Sequence, residues 1–190
     1  RGHCFVRYAD DANVYVRSKR AGERVMTLLR RLYGKLRLTV NETKSAVGSV
    51  FGRKVLGYTF WVAQGGVIKR RVADKAKATF KQRIRQLTRR SGGRSMQDVV
   101  EGLRLYVLGW KAYFRLSQTP KVWKELEQWM RHRLRAVQLK QWKRGKTMYR
   151  ELLALGAKPE IARRVAANSR RWWRNSGMLL NAVLTLRTDD

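Results

Sequence analysis

The chain has 190 residues, with 44 Lys and Arg against 13 Asp and Glu, so its formal net charge is +31. Hydrophobic residues make up 44% of it, which excludes a disordered basic tail and predicts a buried core. A single Cys excludes a disulfide framework, and together with two His it cannot form a structural zinc site. Because no apolar run reaches about eighteen residues, we expect no membrane span. We also expect no signal peptide, because no such pattern opens the chain.

The positive charge is spread along the chain. Residues 1–64 have 13 basic and 4 acidic residues, a net +9, and residues 65–190 have 31 and 9, a net +22. This surplus repels itself and favours a polyanion as partner, with nucleic acid the default and an anionic membrane surface the rival. Both parts also contain periodic apolar residues, so we expect folded domains with basic faces.

Residues 1–64 are predicted to be mixed α/β. Two β-prone runs, 5–8 and 13–17, predict a hairpin with two carboxylates at its tip. Ser18 is expected to cap a helix that runs to about Lys35. Gly57 lies inside the last run and indicates a bulge or a close backbone approach. Further β-prone runs lie at 36–40, 45–51 and 55–62, with a polar turn at 41–44.

After residues 64–66 the hydrophobic period becomes helical. A helix is expected near 73–89, a second after a capping box of Ser95 and Asp98, and a third from Pro120 to about Arg144. Shorter helices follow to about residue 186. The predicted fold class is therefore α+β, with an all-α bundle at 65–190.

Asp10 and Asp11 are adjacent carboxylates in a chain that has few acids. They repel each other without a compensating cation, and Mg²⁺ prefers carboxylate oxygens plus substrate phosphates. Two such ions about 4 Å apart would clamp the attacking and leaving oxygens of a phosphoryl transfer. The alternative is a plain polar turn, because Asp is common in turns.

The run Tyr8-Ala9-Asp10-Asp11 between two β-prone segments resembles the catalytic palm motif of reverse transcriptases. Residues 36–44 resemble the family block that follows the palm helix, and residues 55–60 resemble its Leu-Gly-aromatic block. A further ordered set resembles the thumb of group II intron reverse transcriptase/maturases: 94–95, 106–114, 129–135, 140–144, 152–156, 172–176 and 180–182.

The resemblance implies a partial palm at 1–64 and a thumb and maturase-specific bundle at 65–190. Asp10 and Asp11 would be catalytic metal ligands for two Mg²⁺ ions in the complete enzyme, and Lys44 would lie near the nucleotide phosphates. The residues implied to position nucleotide and primer are Tyr8, Ala9, Leu56, Gly57 and Tyr58.

The basic bundle is expected to bind group II intron RNA, and in the complete enzyme an RNA–DNA hybrid and dNTP. Lys77, Lys81 and Arg85 recur along one helix face at i, i+4 and i+8. Residues 140–144 place Trp142 among cations, which we interpret as an RNA-facing surface with Trp142 in the core. The other expected RNA-binding residues are Arg131, Arg135, Lys140, Lys143, Arg144, Arg170 and Arg171.

The family's third catalytic carboxylate and its fingers lie upstream of this segment, so we expect these 190 residues alone not to polymerise. That missing half would be supplied in cis or in trans. Two alternatives remain: a splicing maturase whose palm is a relic, and a generic basic protein that binds RNA or a membrane. A bacterial cytoplasm is the default location.

Overall fold

The fold is α+β, as predicted from the sequence. The computed structural model describes residues 2–9, 11–90, 92–177, 180 and 183–184. The chain divides into two compact units, residues 1–55 and 56–190. The assignment of 1–64 to a palm and of 65–190 to a thumb stays a prediction.

The first unit opens with the predicted β-hairpin. Strands β1 (Cys4–Tyr8) and β2 (Asp11–Tyr15) pair antiparallel, with Tyr8 opposite Asp11. Ala9 has a φ of 52° and makes the reversal. The second strand begins earlier than expected, so Asp11 is a strand residue and does not lie at the hairpin tip.

Helix α1 (Lys19–Lys35) begins at the predicted cap. Ser18 is extended, and its hydroxyl accepts a hydrogen bond from the Ala21 N–H at 3.2 Å. Gly22 is buried where a Cβ would meet a Val47 methyl at 2.6 Å, so the 40s segment packs closely on the helix. Ala21 and Gly22 are the only buried residues that the structure describes in this unit.

Two of the expected strands do not form. Residues 36–40 follow α1 as a turn and irregular chain, and 45–51 contain only an isolated bridge at Phe51. Their β-prone residues have no partner strand among the described residues, and Val47 packs on Gly22 instead. The predicted turn at 41–44 is present. The unit ends in the two-residue strand β3 (Lys54–Val55).

A hairpin that the sequence did not predict opens the second unit. Strands β4 (Tyr58–Val62) and β5 (Ile68–Val72) pair antiparallel and are joined through a 3₁₀ turn, Gln64–Gly66. The helical period expected after residue 66 was therefore wrong for β5. Three of its five residues are Lys or Arg, which hides the alternation of apolar residues that usually marks a strand.

Helices fill the rest of the second unit, and the capping box of Ser95 and Asp98 is confirmed. One core cluster contains Phe80, Ile84 and Leu103 and joins the first three helices of this unit. A second cluster contains Leu139 and Met148. The helices are α2 (Asp74–Leu87), α3 (Met96–Tyr113), α4 (Pro120–Trp142), α5 (Gly145–Ala154), α6 (Pro159–Ala167) and α7 (Trp172–Asn175).

Leu56 and Gly57 form a tight turn, with φ values of 49° and 79°. Of the two expectations for Gly57, the structure shows a close approach and not a bulge. A Cβ on Gly57 would lie 3.1 Å from the Phe114 ring. The Tyr58 hydroxyl donates to the Tyr113 carbonyl at 2.7 Å, and the Tyr113 hydroxyl donates to the Leu56 carbonyl at 3.1 Å. These reciprocal bonds fix the turn against the end of α3.

Gly57→Ala is expected to lower the free energy of unfolding by about 2–3 kcal/mol. The change combines backbone strain at positive φ with crowding against Phe114. Gly65→Ala is the matched control, because Gly65 has a φ of 80° and nothing within 4 Å of its Cβ position. Its loss should be about 1 kcal/mol. Equal losses in urea-induced unfolding would show that Phe114 does not constrain residue 57.

Candidate nucleic-acid interface

The hairpin presents its predicted functional residues to solvent. Asp11 is exposed, Ala9 is exposed in the reversal, and the Tyr8 side chain is 64% exposed. Asp10 lies outside the described residues. Among the residues that the structure describes, no three His, Cys, Asp or Glu come together as metal ligands. The two-Mg²⁺ centre therefore stays a prediction, and we derive no catalytic step through one.

Lys44 lies exposed on a turn that two sets of hydrogen bonds hold. The Asn41 side-chain oxygen accepts from the Thr43 and Lys44 N–H groups, both at 3.2 Å. Arg30 donates from Nε and Nη2 to the two Glu42 carboxylate oxygens, at 2.8 and 2.7 Å. The hydrogen bonds from Arg30 lower the pKa of the Glu42 carboxyl, and its positive charge acts in the same direction. The turn is therefore tied to α1.

Protein covers part of the predicted primer-positioning turn at Gly57 and Tyr58. The Phe114 ring occupies the space beside Gly57 that was expected to admit nucleic acid. Tyr58 is half-buried with its ring centroid 5.2 Å from that of Phe114, and burial raises the pKa of its hydroxyl. Leu56 remains 40% exposed. The Phe114 ring therefore fills the side of Gly57 towards which a Cβ would point.

Cations from two helices gather around Trp129. Lys81 Nζ lies 5.7 Å from the indole centroid, Arg85 Cζ 5.6 Å and Arg133 Cζ 5.5 Å. All three distances are within the range of a cation–π interaction. Lys81 and Arg85 come from α2, whereas Trp129 and Arg133 are one turn apart on α4.

A second indole repeats this arrangement. Arg90 Cζ lies 5.8 Å from the Trp172 ring centroid, and Lys140 Nζ lies 5.2 Å from it. Burial lowers the pKa of the Arg133 guanidinium, and the charges of Arg90 and Arg85 lower it further. The two groups of cations are therefore neighbours. We call the five residues the cation strip: Lys81, Arg85, Arg90, Arg133 and Lys140.

The cation strip has no acidic partners among the described residues. Other predicted RNA-binding residues do have one: Lys77 pairs with Asp74 at 2.6 Å, and Arg131 pairs with Glu127. A paired cation has less free charge to offer to a phosphate. The strip therefore concentrates unneutralised positive charge on one surface.

Arg135 corrects the sequence prediction. Its side chain is 5% exposed, and its Nε donates to the Ser176 carbonyl at 2.8 Å. His132 Nε2 lies 2.8 Å from the Trp173 carbonyl oxygen. The His132 ring also stacks on the Trp173 ring, with the two ring centroids 3.8 Å apart. Both α4 side chains hold the α7 segment and do not face solvent as free cations. The remaining predicted cations are exposed: Lys143, Arg144, Arg170 and Arg171.

Sequence reasoning found three of the strip residues and missed Arg90 and Arg133. Arg133 follows Trp129 by four residues on α4, a spacing that places the two side chains on one helix face. That spacing was the available signal. Arg90 follows the end of α2, and its approach to Trp172 depends on tertiary packing that no local pattern shows.

Residues 77–156 match the family model described as the group II intron, maturase-specific domain. The match covers 80 of the 190 residues. The resemblance seen in the thumb blocks is confirmed here, and the whole cation strip lies inside the matched residues. No curated protein matches the chain. None of the described helices is long and apolar enough to cross a membrane.

Arg30→Gln is expected to raise the pKa of Glu42 back towards the ordinary glutamate value. In the wild-type chain the lowered pKa means that the Arg30–Glu42 bonds are complete above the ordinary glutamate pKa. They are lost only as pH falls through the lowered folded value. Carboxyl NMR titration measures the pKa of Glu42 in the wild-type chain and in the variant. The internal control is Glu23, which lies on α1 with Arg30 and pairs with Lys19 across 3.9 Å. An unchanged Glu42 midpoint would contradict the assigned bonds.

Proposed function

We propose that this chain binds group II intron RNA through the cation strip of its maturase-specific domain and thereby assists splicing. The observation that carries the proposal is the gathering of five cations around Trp129 and Trp172, which have no acidic partner in the part of the chain that the structure describes. Placing like charges together destabilises the isolated protein. A phosphate backbone relieves that repulsion and releases its own counterions on binding.

The splicing role follows from the resemblance to maturases. In that family the intron RNA is the catalyst, and the protein binds and stabilises its active fold. A rigid basic surface suits this role because it neutralises phosphates that folding brings together. The exposed cations beyond the strip, such as Arg144 and Arg171, would extend the contact.

Reverse transcription by the complete protein is the second candidate. The hairpin of β1 and β2 supports it, because the run that resembles the palm motif joins two paired strands, with Tyr8 opposite Asp11. Every described residue of 2–9 is exposed, including Phe5 and Val6. A two-stranded sheet with this exposure needs further protein to be stable. We propose that the remaining palm and fingers supply that protein, in cis or in trans, and that two Mg²⁺ ions bind Asp10 and Asp11 there.

Lys81→Gln/Arg85→Gln is expected to weaken binding of a structured group II intron RNA domain about tenfold at about 0.15 M salt. The plot of log Kd against log salt concentration should become shallower by about two units, because two phosphate contacts are lost. Arg115→Gln/Lys124→Gln removes the same two residue types from exposed positions elsewhere and should change Kd by less than about threefold.

The same titration tests the partner. A random RNA of equal length should bind the wild-type chain at low salt, and the intron RNA should be preferred at about 0.3–0.5 M salt. Equal affinities that fall together would contradict the proposed specificity. Equal effects of the two double variants would contradict the role of the strip.

Primer extension tests the polymerase proposal. With an RNA template, a DNA primer, dNTPs and Mg²⁺, the 190-residue chain is expected to incorporate no nucleotide, because the resemblance implies a third metal-binding carboxylate that these residues do not supply. Incorporation that Asp11→Asn abolishes would show that these residues suffice. Incorporation that survives in Asp11→Asn would point to a contaminating polymerase.

A further inference from the structure

The Trp129 side chain meets both the protein core and the cation strip. It is half-buried and packs against the cluster of Phe80, Ile84 and Leu134. Three cations lie over the same ring within 6 Å of its centroid. Because core atoms and cations occupy its surroundings, the indole does not present an open face on which a nucleobase could stack.

The cations around Trp129 would otherwise spread apart. Burial lowers the pKa of the Arg133 guanidinium, and the positive charges of Arg90 and Arg85 act in the same direction. The negative face of an indole attracts cations, and Trp is the strongest side chain for this interaction. Arg133 is fixed further, because its Nε donates to the hydroxyl of the buried Thr88 at 2.7 Å. Thr88 in turn donates to the Ile84 carbonyl at 2.6 Å.

We propose that Trp129 is a positioning residue: it holds Lys81, Arg85 and Arg133 in a fixed array that binds the phosphate backbone of RNA. Trp172 does the same for Arg90 and Lys140. This inference rests on the proposed RNA-binding function. It adds that the array recognises the spacing of phosphates and that the tryptophans themselves do not read bases.

The proposal separates two roles that aromatic residues have in RNA-binding proteins. A stacking platform needs an exposed ring and binds unpaired bases. An indole that is covered by cations instead reduces the side-chain entropy that Lys and Arg lose when they bind phosphate. The bound RNA would therefore be a double-stranded or compactly folded segment, in which phosphates stand at regular distances.

Trp129→Leu tests the proposal, because it removes the indole and leaves the net charge unchanged. The ligand is a random-sequence RNA duplex, measured over a salt series from about 0.05 to 0.3 M. We expect Kd to rise about tenfold at about 0.15 M salt, and the salt slope to fall by about one to two units as cations lose their alignment. A role confined to the core would leave that slope unchanged.

Trp123→Leu is the matched control on the same helix. Trp123 is half-buried and packs edge-on against Trp110, with the two ring centroids 5.2 Å apart. No cation lies over the Trp123 ring among the described residues. It should lose stability without a change in salt slope. If Trp129→Leu does not fold, Trp129→Phe decides, because it preserves an aromatic core contact with a weaker π face. Its Kd should rise about threefold.

A folded Trp129→Leu chain with the wild-type salt slope and a Kd within twofold of wild type would overturn the proposal. So would a wild-type Kd in Trp129→Phe where Trp129→Leu does not fold. A tenfold stronger effect on single-stranded RNA than on the duplex would show base stacking and would also overturn it. If intron RNA is not preferred over random RNA, the proposed function fails, but the effect of Trp129 on the duplex is still measured.

Discussion

Attraction between cations and indole rings allows this chain to hold so much positive charge on an ordered surface. Lys81, Arg85 and Arg133 face one another without an acid between them. In a chain of net charge +31, there are too few carboxylates to pair each cation. The Trp129 ring provides a compensating field and does not neutralise the charge. The surface therefore stays positive while its geometry stays defined.

The position of α4 follows from the same arrangement. Its first half packs on α2 and α3 through Leu126 and Met130, and its second half packs on the later helices through Leu139. Because α4 is one continuous helix of 23 residues that contributes side chains to both clusters, it connects the two cores. The Trp129 and Lys140 contacts lie on either side of the junction. A change in the packing of either core would therefore shift α4 and with it the cation-strip residues on that helix.

The sequence predicted the secondary structure correctly where contacts between residues a few positions apart determine it. The Ser18 cap, the Ser95 capping box and the helical periods of α2, α3 and α4 are all set by contacts within a few residues. The placement of Lys81 and Arg85 one turn apart on α2 follows from the same kind of local spacing, and their binding of RNA stays a prediction.

The failures share a different cause. Strand β5 is rich in cations and is defined by pairing with β4, so its identity depends on a partner rather than on its own residues. The 36–40 and 45–51 runs have strand composition but no partner strand among the described residues. Arg135 and Arg131 are one turn apart on α4, but only Arg135 is buried, where its Nε donates to the carbonyl of Ser176, 41 residues later in the chain. Long-range packing decided each of these cases.

The exposed hairpin has a consequence for how this protein behaves in solution. Strand β1 pairs along one edge only among the described residues, and Phe5 is 65% and Tyr8 64% exposed. An open apolar edge of this kind is a template for strand pairing between copies of a chain. At low ionic strength the mutual repulsion of highly charged molecules keeps such edges apart, and added salt screens that repulsion. The ionic conditions that weaken nonspecific binding to polyanions are therefore the conditions that promote self-association through β1.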